Sequence, residues 1–394
     1  MKTKFLLLAM LLFGAYGCSP KGDGSVSEII VNGNKMYVSS LNDLKPDIAT
    51  IPLSSLVEYC ELVQLESVED AYFNPQFTTV TDKYIGVRDR TQGGSYKLFD
   101  RSGKFLCNVG SIGRGPGEYL TGPYDDIIDD KNELVYLAPF MEDKILVYST
   151  LGQYLKDIVA PLRLNKAKIF LSDGILTVVH MPFPDDRAVV LQFDVNTGEV
   201  LKEVVPPAHL IAPNYDGEIF STKNASGIFD FVHTSSDTLY HFDVKNNKIL
   251  PTFTMTYNTS ENTWKYIYQL NKEMYITNVS KFDRELNMGR GGYAFVGFVA
   301  TDLTSKTSSW IKIVNDYYGN MPVSISPVTA RNGYWVHNIQ PEDLMDNIET
   351  RLAERDCSES DRQALTKLLS TLEVGANNVV FIGKLKSEVG TKLW

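Results

Sequence analysis

Three of the five histidines follow apolar, strand-like runs in a similar way. His180 ends the run TVVH, His233 ends FDFVH and His337 ends YWVH. Histidine side chains bind metals, exchange protons near neutral pH and hydrogen-bond to ligands. Arg88 in IGVRD and Asn278 in YITNVS stand at the same register in comparable runs. If these runs are equivalent strands, five polar side chains converge on one end of the fold, and a ligand site is expected there.

A second interpretation assigns these histidines no function. Each imidazole then satisfies a loop backbone group or lies on a solvated rim, because histidine is often partly buried without binding anything. A metal held by histidines alone requires strand ends from different elements to share one ion. We therefore predict no metal and no other cofactor at this end.

Carboxylate pairs offer a second possible source of chemistry, at Asp125-Asp126, Asp129-Asp130 and Asp185-Asp186. Aspartate is favoured in turns, so most of these pairs are predicted to be solvated turn residues. Only Asp185-Asp186, which precedes Arg187, is retained near the proposed site. The sequence contains no G-x-S-x-G or H-E-x-x-H motif. The remaining cysteines follow no metal or redox spacing and are predicted to be small buried residues: Cys60, Cys107 and Cys357.

The strands that would position these side chains belong to a repeat. Phe99 and Tyr148 stand 49 positions apart in matching apolar runs, and so do Gly103 and Gly152 in the turns that follow. Phe193-Asp194 and Phe242-Asp243, which are again 49 positions apart, continue the pattern. Each copy reads as two strands joined by a short turn, with two further strands before it. A period of this length in a strand-rich chain indicates the blades of a β-propeller.

Counting these units predicts an all-β, six-bladed propeller of four-stranded blades. The approximate blade spans are 68–109, 118–158, 164–205, 214–257, 262–314 and 322–386. The sixth span lacks an outer strand, and residues 57–66 are the expected donor. Pairing these residues with 378–386 would close the ring and cover two exposed sheet edges.

One segment breaks the strand pattern. Residues 341–373 are charged, with leucine and isoleucine spaced as on one face of a helix. Ser358 followed by Asp361 resembles a helix N-cap. We predict a helical hairpin inserted between the second and third strands of the sixth blade.

The N-terminus has the form of an export signal. Lys2 and Lys4 precede a nine-residue apolar run that is too short to cross a bilayer. Ala15, Tyr16 and Gly17 then lead to Cys18, which resembles the lipidated cysteine of a bacterial lipobox, although Tyr16 departs from the strict pattern. An ordinary cleaved signal that happens to carry a cysteine is the alternative. A lipid on Cys18 would anchor the protein to a membrane.

A glycine-rich segment carries a family resemblance. The matched residues are Gly110, Gly113, Gly115-Pro116-Gly117-Glu118-Tyr119, Pro123, Asp129, Val135-Tyr136, Ile145 to Tyr148 and Gly152. Together they resemble an NHL-type propeller repeat. With its lipobox-like start, the chain resembles the bacterial six-bladed-propeller lipoproteins. That resemblance implies a propeller in the cell envelope and no assigned activity. A phosphate-binding loop is the alternative, but the Walker spacing and its lysine are absent.

These observations predict three regions: a signal peptide at 1–17, a lipid-anchor tether and lead-in at 18–56, and the propeller at 57–394. The formal net charge of −10, or −12 without Lys2 and Lys4, argues against a nucleic-acid partner. We expect a non-catalytic module that binds an envelope protein, a small molecule or a glycan; an envelope hydrolase or lyase is the alternative. The candidate ligand-binding residues at the mouth are Arg88, Arg114, Glu118, His180, Arg187, His233, Asn278 and His337.

Overall fold

Six sheets form the body of the molecule. The structure is a computed structural model that describes residues 24–90, 94–234, 236–257 and 263–388. Blade one contains β5 (Pro75–Val80), β6 (Tyr84–Asp89), β7 (Tyr96–Asp100) and β8 (Phe105–Val109). Two short parallel strands, β9 (Ser111–Ile112) and β10 (Glu118–Tyr119), precede blade two. Blade two contains β11 (Pro123–Asp129), β12 (Leu134–Pro139), β13 (Lys144–Ser149) and β14 (Tyr154–Val159). Blade three contains β15 (Lys168–Ser172), β16 (Ile175–Val179), β17 (Val190–Asp194) and β18 (Val200–Val204).

The second half of the ring follows the same plan. Blade four contains β19 (Ile219–Phe220), β20 (Phe229–His233), β21 (Thr238–Asp243) and β22 (Lys248–Thr256). Blade five contains β23 (Thr263–Gln269), β24 (Met274–Asp283), β25 (Gly292–Asp302) and β26 (Thr307–Asn315), with β27 (Met321–Val323) added beside β26. Blade six contains β28 (Ala330–Arg331), β29 (Tyr334–Ile339) and β30 (Val379–Leu385). The predicted six-bladed propeller is confirmed.

The N-terminal part of the chain closes the ring. Strand β4 (Val57–Gln64) pairs antiparallel with β30 and is the outer strand of blade six, as predicted. Its register joins Gln64 to Val379 and Val57 to Leu385. The predicted lead-in also contains strands: β1 (Ser27–Val31), β2 (Asn34–Ser40) and β3 (Ile48–Pro52). Strand β2 runs parallel to β22 and β3 runs parallel to β26, so both widen existing blades.

Neighbouring blades pack face to face through buried aliphatic and aromatic side chains. Tyr96 and Leu98 of blade one, for example, pack against Val135 and Leu146 of blade two. The apolar alternation of the strands accounts for this arrangement, because each inward side chain lies between two sheets. Each fully buried Leu, Ile or Phe contributes about 1.5–3 kcal/mol to folding.

The two helices near the C-terminus lie between β29 and β30, where the helical insertion was predicted. They are α2 (Pro341–Ala353) and α3 (Glu359–Leu369); a one-turn element, α1 (Leu286–Gly289), connects β24 to β25. Ser358 caps α3, since its hydroxyl accepts from the Asp361 backbone N–H at 3.1 Å and Asp361 accepts from the Ser358 N–H. Leu344 and Ile348 of α2 share a buried cluster with Leu365 and Leu368 of α3 and with blades five and six.

Candidate functional site

In each blade, the innermost strand begins and the second strand ends at the same end of the propeller channel. At this end Phe77 of β5 lies opposite Arg88 of β6, and Lys168 of β15 lies opposite Val179 of β16. We call this end the mouth. The turns between first and second strands lie at the other end, which we call the turn end.

Arg88 is the predicted site residue that points into the channel. Its guanidinium carbon lies 4.1 Å from the centre of the Phe77 ring, and an N–H donates to the Tyr124 carbonyl. Burial lowers the pKa of Arg88 to about 10, an effect that Asp126 opposes. Arg88 nevertheless remains protonated at neutral pH.

His180 and His233 are buried instead of facing the mouth. The His180 Nε2 lies 2.8 Å from the Ala188 carbonyl oxygen, so this ring satisfies a loop backbone group. Burial, together with the charge of Lys166, lowers the pKa of His233 to about 4. Burial also lowers the pKa of His180. Both rings are therefore neutral at physiological pH.

Asn278 and His337 occupy different surroundings. Asn278 lies opposite Tyr266 in the middle of β24, because this strand continues for five more residues to Asp283. His337 is half-buried, with its ring 6.1 Å from that of Phe381. It borders a cavity of about 110 Å³ that Phe77 also lines. The five predicted side chains thus do not form one ring: Arg88 contacts Phe77, and His337 lines the same cavity as Phe77.

The remaining predicted residues lie on loops. Arg114 and Arg187 are exposed, and Arg187 forms an ion pair with Glu203 at 2.6 Å. Glu118 accepts a hydrogen bond from the Gly115 N–H at 2.6 Å. A Cβ atom at Gly113 would lie 2.0 Å from the Glu118 carboxylate, which explains a glycine there without any unusual backbone angle. Glu118 therefore stabilises its own loop.

A buried ion-pair network joins alternate blades across the channel. Asp125 of blade two accepts from Lys223 Nζ at 3.0 Å and from an Arg331 N–H at 2.7 Å. Lys223 follows β19 in blade four, and Arg331 ends β28 in blade six. Asp125 is 1% exposed, and Asp126 beside it accepts from the Tyr96 hydroxyl at 2.9 Å.

The solvated turn predicted for Asp125-Asp126 is therefore wrong. Both residues lie within β11, and the channel supplies the cations that make their burial possible. Burial opposes the ionisation of Asp125, but Lys223, Arg331 and Lys168 together hold its pKa below the usual range. Asp129, in contrast, accepts from the Lys131 and Asn132 N–H groups in the turn that was predicted.

Lys223 reaches the channel through a strained backbone. Its φ of 54° lies in the left-handed region, which non-glycine residues adopt at a cost of order 1–3 kcal/mol. The buried Asp230 carboxylate holds this bend by accepting from the backbone N–H groups of Thr222 and Lys223 and from the Thr222 hydroxyl. A strained residue that carries a buried charge into a channel is typical of a functional position.

Lys168 is the least compensated cation of the channel. Lys168 is the first residue of β15 in blade three and is 6% exposed. Its Nζ lies 4.3 Å from the centre of the Tyr124 ring. Among the described residues, no carboxylate oxygen lies within 4 Å of this Nζ and no acceptor is hydrogen-bonded to it. Burial lowers the pKa of Lys168 to about 8, against the opposing effect of Asp125 and Glu218.

We call the following six side chains the channel cluster: Arg88, Asp125, Asp126, Lys168, Lys223 and Arg331. It contains four cations and two carboxylates, all buried. At its edge, Glu218 accepts from the Tyr124 hydroxyl and lies 3.9 Å from Lys166, so this further pair is balanced. Excess buried positive charge of this kind is suited to holding an anion.

Sequence reasoning missed most of the channel cluster. Phe77, Asp125 and Lys168 occupy similar positions near the start of the first strand in three consecutive blades. The blade alignment therefore contained a signal for the channel lining. The predicted site residues were instead those at the ends of the second strands, where the histidines stand.

Within the ranges that the structure describes, no three or more His, Cys, Asp or Glu side chains are grouped so that they could hold a metal ion. The same residues include no helix long and apolar enough to span a bilayer. Cys357 is buried, whereas Cys60 and Cys107 are half-buried, and all three are free thiols. Burial raises the pKa of Cys60 to about 12 and that of Cys107 to about 11, so neither is a ready nucleophile.

Comparison with known proteins identifies relatives of this fold. The family described as Domain of unknown function (DUF4934) matches residues 37–384. No curated protein matches the chain. A crystal structure from Bacteroides fragilis, of a protein provisionally described as exported, is 13% identical with a TM-score of 0.57, covering 86% of this chain and all of that one. A DUF4221 member from Bacteroides vulgatus is 12% identical with a TM-score of 0.47, covering 93% and 100% of the two chains.

Proposed function

The chain belongs to the DUF4934 family, and from this premise we propose that it is a lipid-anchored binding protein of the bacterial cell envelope. Its ligand is held at the mouth of the propeller and is not chemically converted. The observation that carries the proposal is the buried excess of cations in the channel cluster.

The geometry of the cluster favours binding over catalysis. The contacts of its cations are with carboxylates, aromatic rings and carbonyl oxygens. In the described parts of the chain, these contacts include no hydroxyl or thiol hydrogen-bonded to a histidine. His180 and His233 are buried with lowered pKa values and do not offer a base to the mouth. The histidine-assisted nucleophiles and histidine bases that many hydrolases and lyases use are thus not among these contacts.

The anchor at Cys18 stays a prediction, because this residue lies outside the described part of the chain. The Bacteroides fragilis relative described as exported is consistent with a signal at 1–17. The first described residues lie against the turn that joins β25 to β26: Val26 N–H donates to the Lys306 carbonyl, and Ser308 N–H donates to the Gly24 carbonyl. This turn follows Asp302, which lies opposite Met274, and so belongs to the turn end.

The position of Gly24 gives the proposal an orientation. The six residue steps from Cys18 to Gly24 span at most about 20 Å. A lipid on Cys18 would therefore keep the turn end of blade five close to the membrane. The mouth would face away from the bilayer, where it is accessible to ligands.

A ligand screen tests the proposed function. The full chain, purified in detergent, is titrated with citrate, inorganic phosphate, galacturonate and galactose in a calorimeter, and each mixture is then examined by NMR for products. We expect at least one compound to bind, to remain unchanged, and to bind at least tenfold more weakly to Phe77→Ala. Absence of binding, binding unaffected by Phe77→Ala, or conversion to a product would each contradict the proposal.

A further inference from the structure

Resting on the proposed function, a more specific inference concerns the chemistry of the ligand. We propose that the mouth binds the oxyanion group of a small acidic molecule, a carboxylate or a phosphate, between Lys168 and Arg88 and beside the Phe77 and Tyr124 rings. The floor of this site is the ion-pair network centred on Asp125.

The carboxylate at the centre of the floor already has three donors. Asp125 accepts from Lys223, from Arg331 and from the Ile169 N–H at 2.8 Å. Lys223 also donates to the Ile169 carbonyl at 3.0 Å. These groups come from blades two, three, four and six and meet in the channel, so Asp125 has little acceptor capacity left and offers no donor to an anionic ligand.

The two remaining cations retain unused donors. An ammonium group has three N–H donors, and none of those on Lys168 is hydrogen-bonded within the described residues. Arg88 uses one N–H on the Tyr124 carbonyl, while its buried Nε has no hydrogen-bond partner in the same part of the chain. Burying the Arg88 Nε without an acceptor is unfavourable. An oxyanion would supply acceptors to both residues, and charge-assisted hydrogen bonds are the stronger kind.

The rings define the sides of the site. Phe77 is half-buried, and its ring centre lies 4.1 Å from Arg88, 5.6 Å from Arg331 and 5.9 Å from Lys168. The 110 Å³ cavity between blades one and six starts at Phe77 and continues to Val328 and His337. This cavity offers space for the uncharged part of a small ligand beside the oxyanion. Cations arranged around a ring also exclude a cationic ligand, because like charges would be buried together.

The experiment compares matched ligands and matched lysine variants. Galactose, galacturonate and galactose 6-phosphate differ only at C6, and citrate and inorganic phosphate supply the two oxyanions on other scaffolds. We expect at least one acid to bind with a Kd below about 10 mM and at least tenfold more tightly than galactose. Tighter binding of the carboxylates or of the phosphates identifies which oxyanion the site prefers.

Lys168→Met removes the charge while keeping a long side chain, and it should weaken acid binding at least tenfold. Lys168→Arg should retain binding within about fivefold. Lys131→Met is the matched control, because Lys131 is exposed on a turn at the far end of blade two, and it should bind as the wild type does. Circular dichroism melting confirms that each variant is folded.

The possible failures are distinguishable. If galactose binds in a Phe77-dependent manner and no acid does, the oxyanion proposal is wrong while the proposed function survives. Acid binding that is equal in Lys168→Met and wild type would also overturn it. If nothing binds, or if Phe77→Ala changes nothing, both proposals fail.

Discussion

Among single residues, Asp125 has the most consequential set of contacts. Three buried donors from blades three, four and six converge on one carboxylate from blade two. A buried ion pair contributes little net stability compared with apolar packing, but removing one partner leaves the other charges uncompensated. Asp125 should therefore be far less tolerant of substitution than an aspartate in a turn.

Asp125→Asn should lower the free energy of unfolding by about 3–5 kcal/mol, because Lys223 and Arg331 lose their shared counter-charge. Urea denaturation measures this change. Asp173→Asn, in the exposed turn between β15 and β16, is the control and should leave stability unchanged. Because the folded-state pKa of Asp125 is lowered, its stabilisation is present above about pH 4 and is lost as the pH falls further. Equal stability of the two variants at pH 7 would contradict this account.

The protonation of Lys168 should control ligand affinity. Its pKa of about 8 reflects burial first, with Asp125 and Glu218 favouring the charged form and Arg88 and Arg331 opposing it. Anion binding requires the ammonium, so the affinity for a carboxylate, which stays ionised throughout this range, should be constant below about pH 8 and weaken roughly tenfold per pH unit above it. Calorimetric titration of the tightest acid from pH 6.5 to 9.5 measures this dependence. In Lys168→Arg the profile should be flat, since guanidinium stays protonated; a flat wild-type profile would exclude Lys168 from the site.

Among the elements, the strand hairpins were predictable and the channel lining was not. Each hairpin leaves a local pattern, such as Phe99-Asp100 followed by Gly103, within a few residues. The ion pairs join Asp125 to Lys223 and Arg331, which are distant in the sequence and meet only once the ring is closed. Local propensity favours a turn for Asp125-Asp126, and the tertiary structure overrides it.

The helical hairpin owes its position to packing and its start to a cap. Leu365 of α3 packs against the backbone of Gly319, and Asp361 accepts from the Asn320 side chain at 2.8 Å. These contacts place α3 beside the loop that follows β26. Sequence periodicity predicted the buried face of both helices, whereas their partner in blade five could not be read from a local pattern.

Ser358→Ala should destabilise the protein by about 1 kcal/mol, because the Asp361 N–H loses its acceptor at the start of α3. Thermal unfolding with circular dichroism detects such a change. Ser360→Ala, in the first turn of the same helix and exposed, is the matched control and should have a smaller effect. If both substitutions have the same effect, the capping box is not stabilising.

For the whole molecule, ring closure makes the blades interdependent. Strand β4 supplies the outer edge of blade six, and among the described residues β30 is the strand with which it pairs. Without β30, the edges of β29 and β4 are unpaired. The two core clusters to which Phe381 and Ile382 of β30 belong also lose these side chains.

Deletion of residues 378–394 should therefore lower the melting temperature of the entire domain in one cooperative transition. Differential scanning calorimetry distinguishes this result from the loss of a single blade, which would leave a second transition near the wild-type temperature. A truncated protein that melts like the wild type would show that closure is unimportant. Deletion of residues 389–394 alone, beyond β30, is the control.

Lipidation is also a property of the whole molecule. Intact-mass measurement of protein extracted from membranes should show a chain that starts at Cys18 and carries a diacyl or triacyl group. Cys18→Ser should release the protein from the membrane fraction. A mature chain that begins at another residue, or wild-type protein recovered without detergent, would contradict the anchor.

The closing pair β4–β30 also sets an order of events during biosynthesis. Gln64 is synthesised early, but its partner Val379 leaves the ribosome 315 residues later. Until then β4 has an open edge, and the hydrogen bonds of its backbone have no permanent partner. Contacts between residues so distant along the chain slow folding. The architecture therefore leaves the edge of β4 open to incorrect pairing until the last strand of the ring has been synthesised.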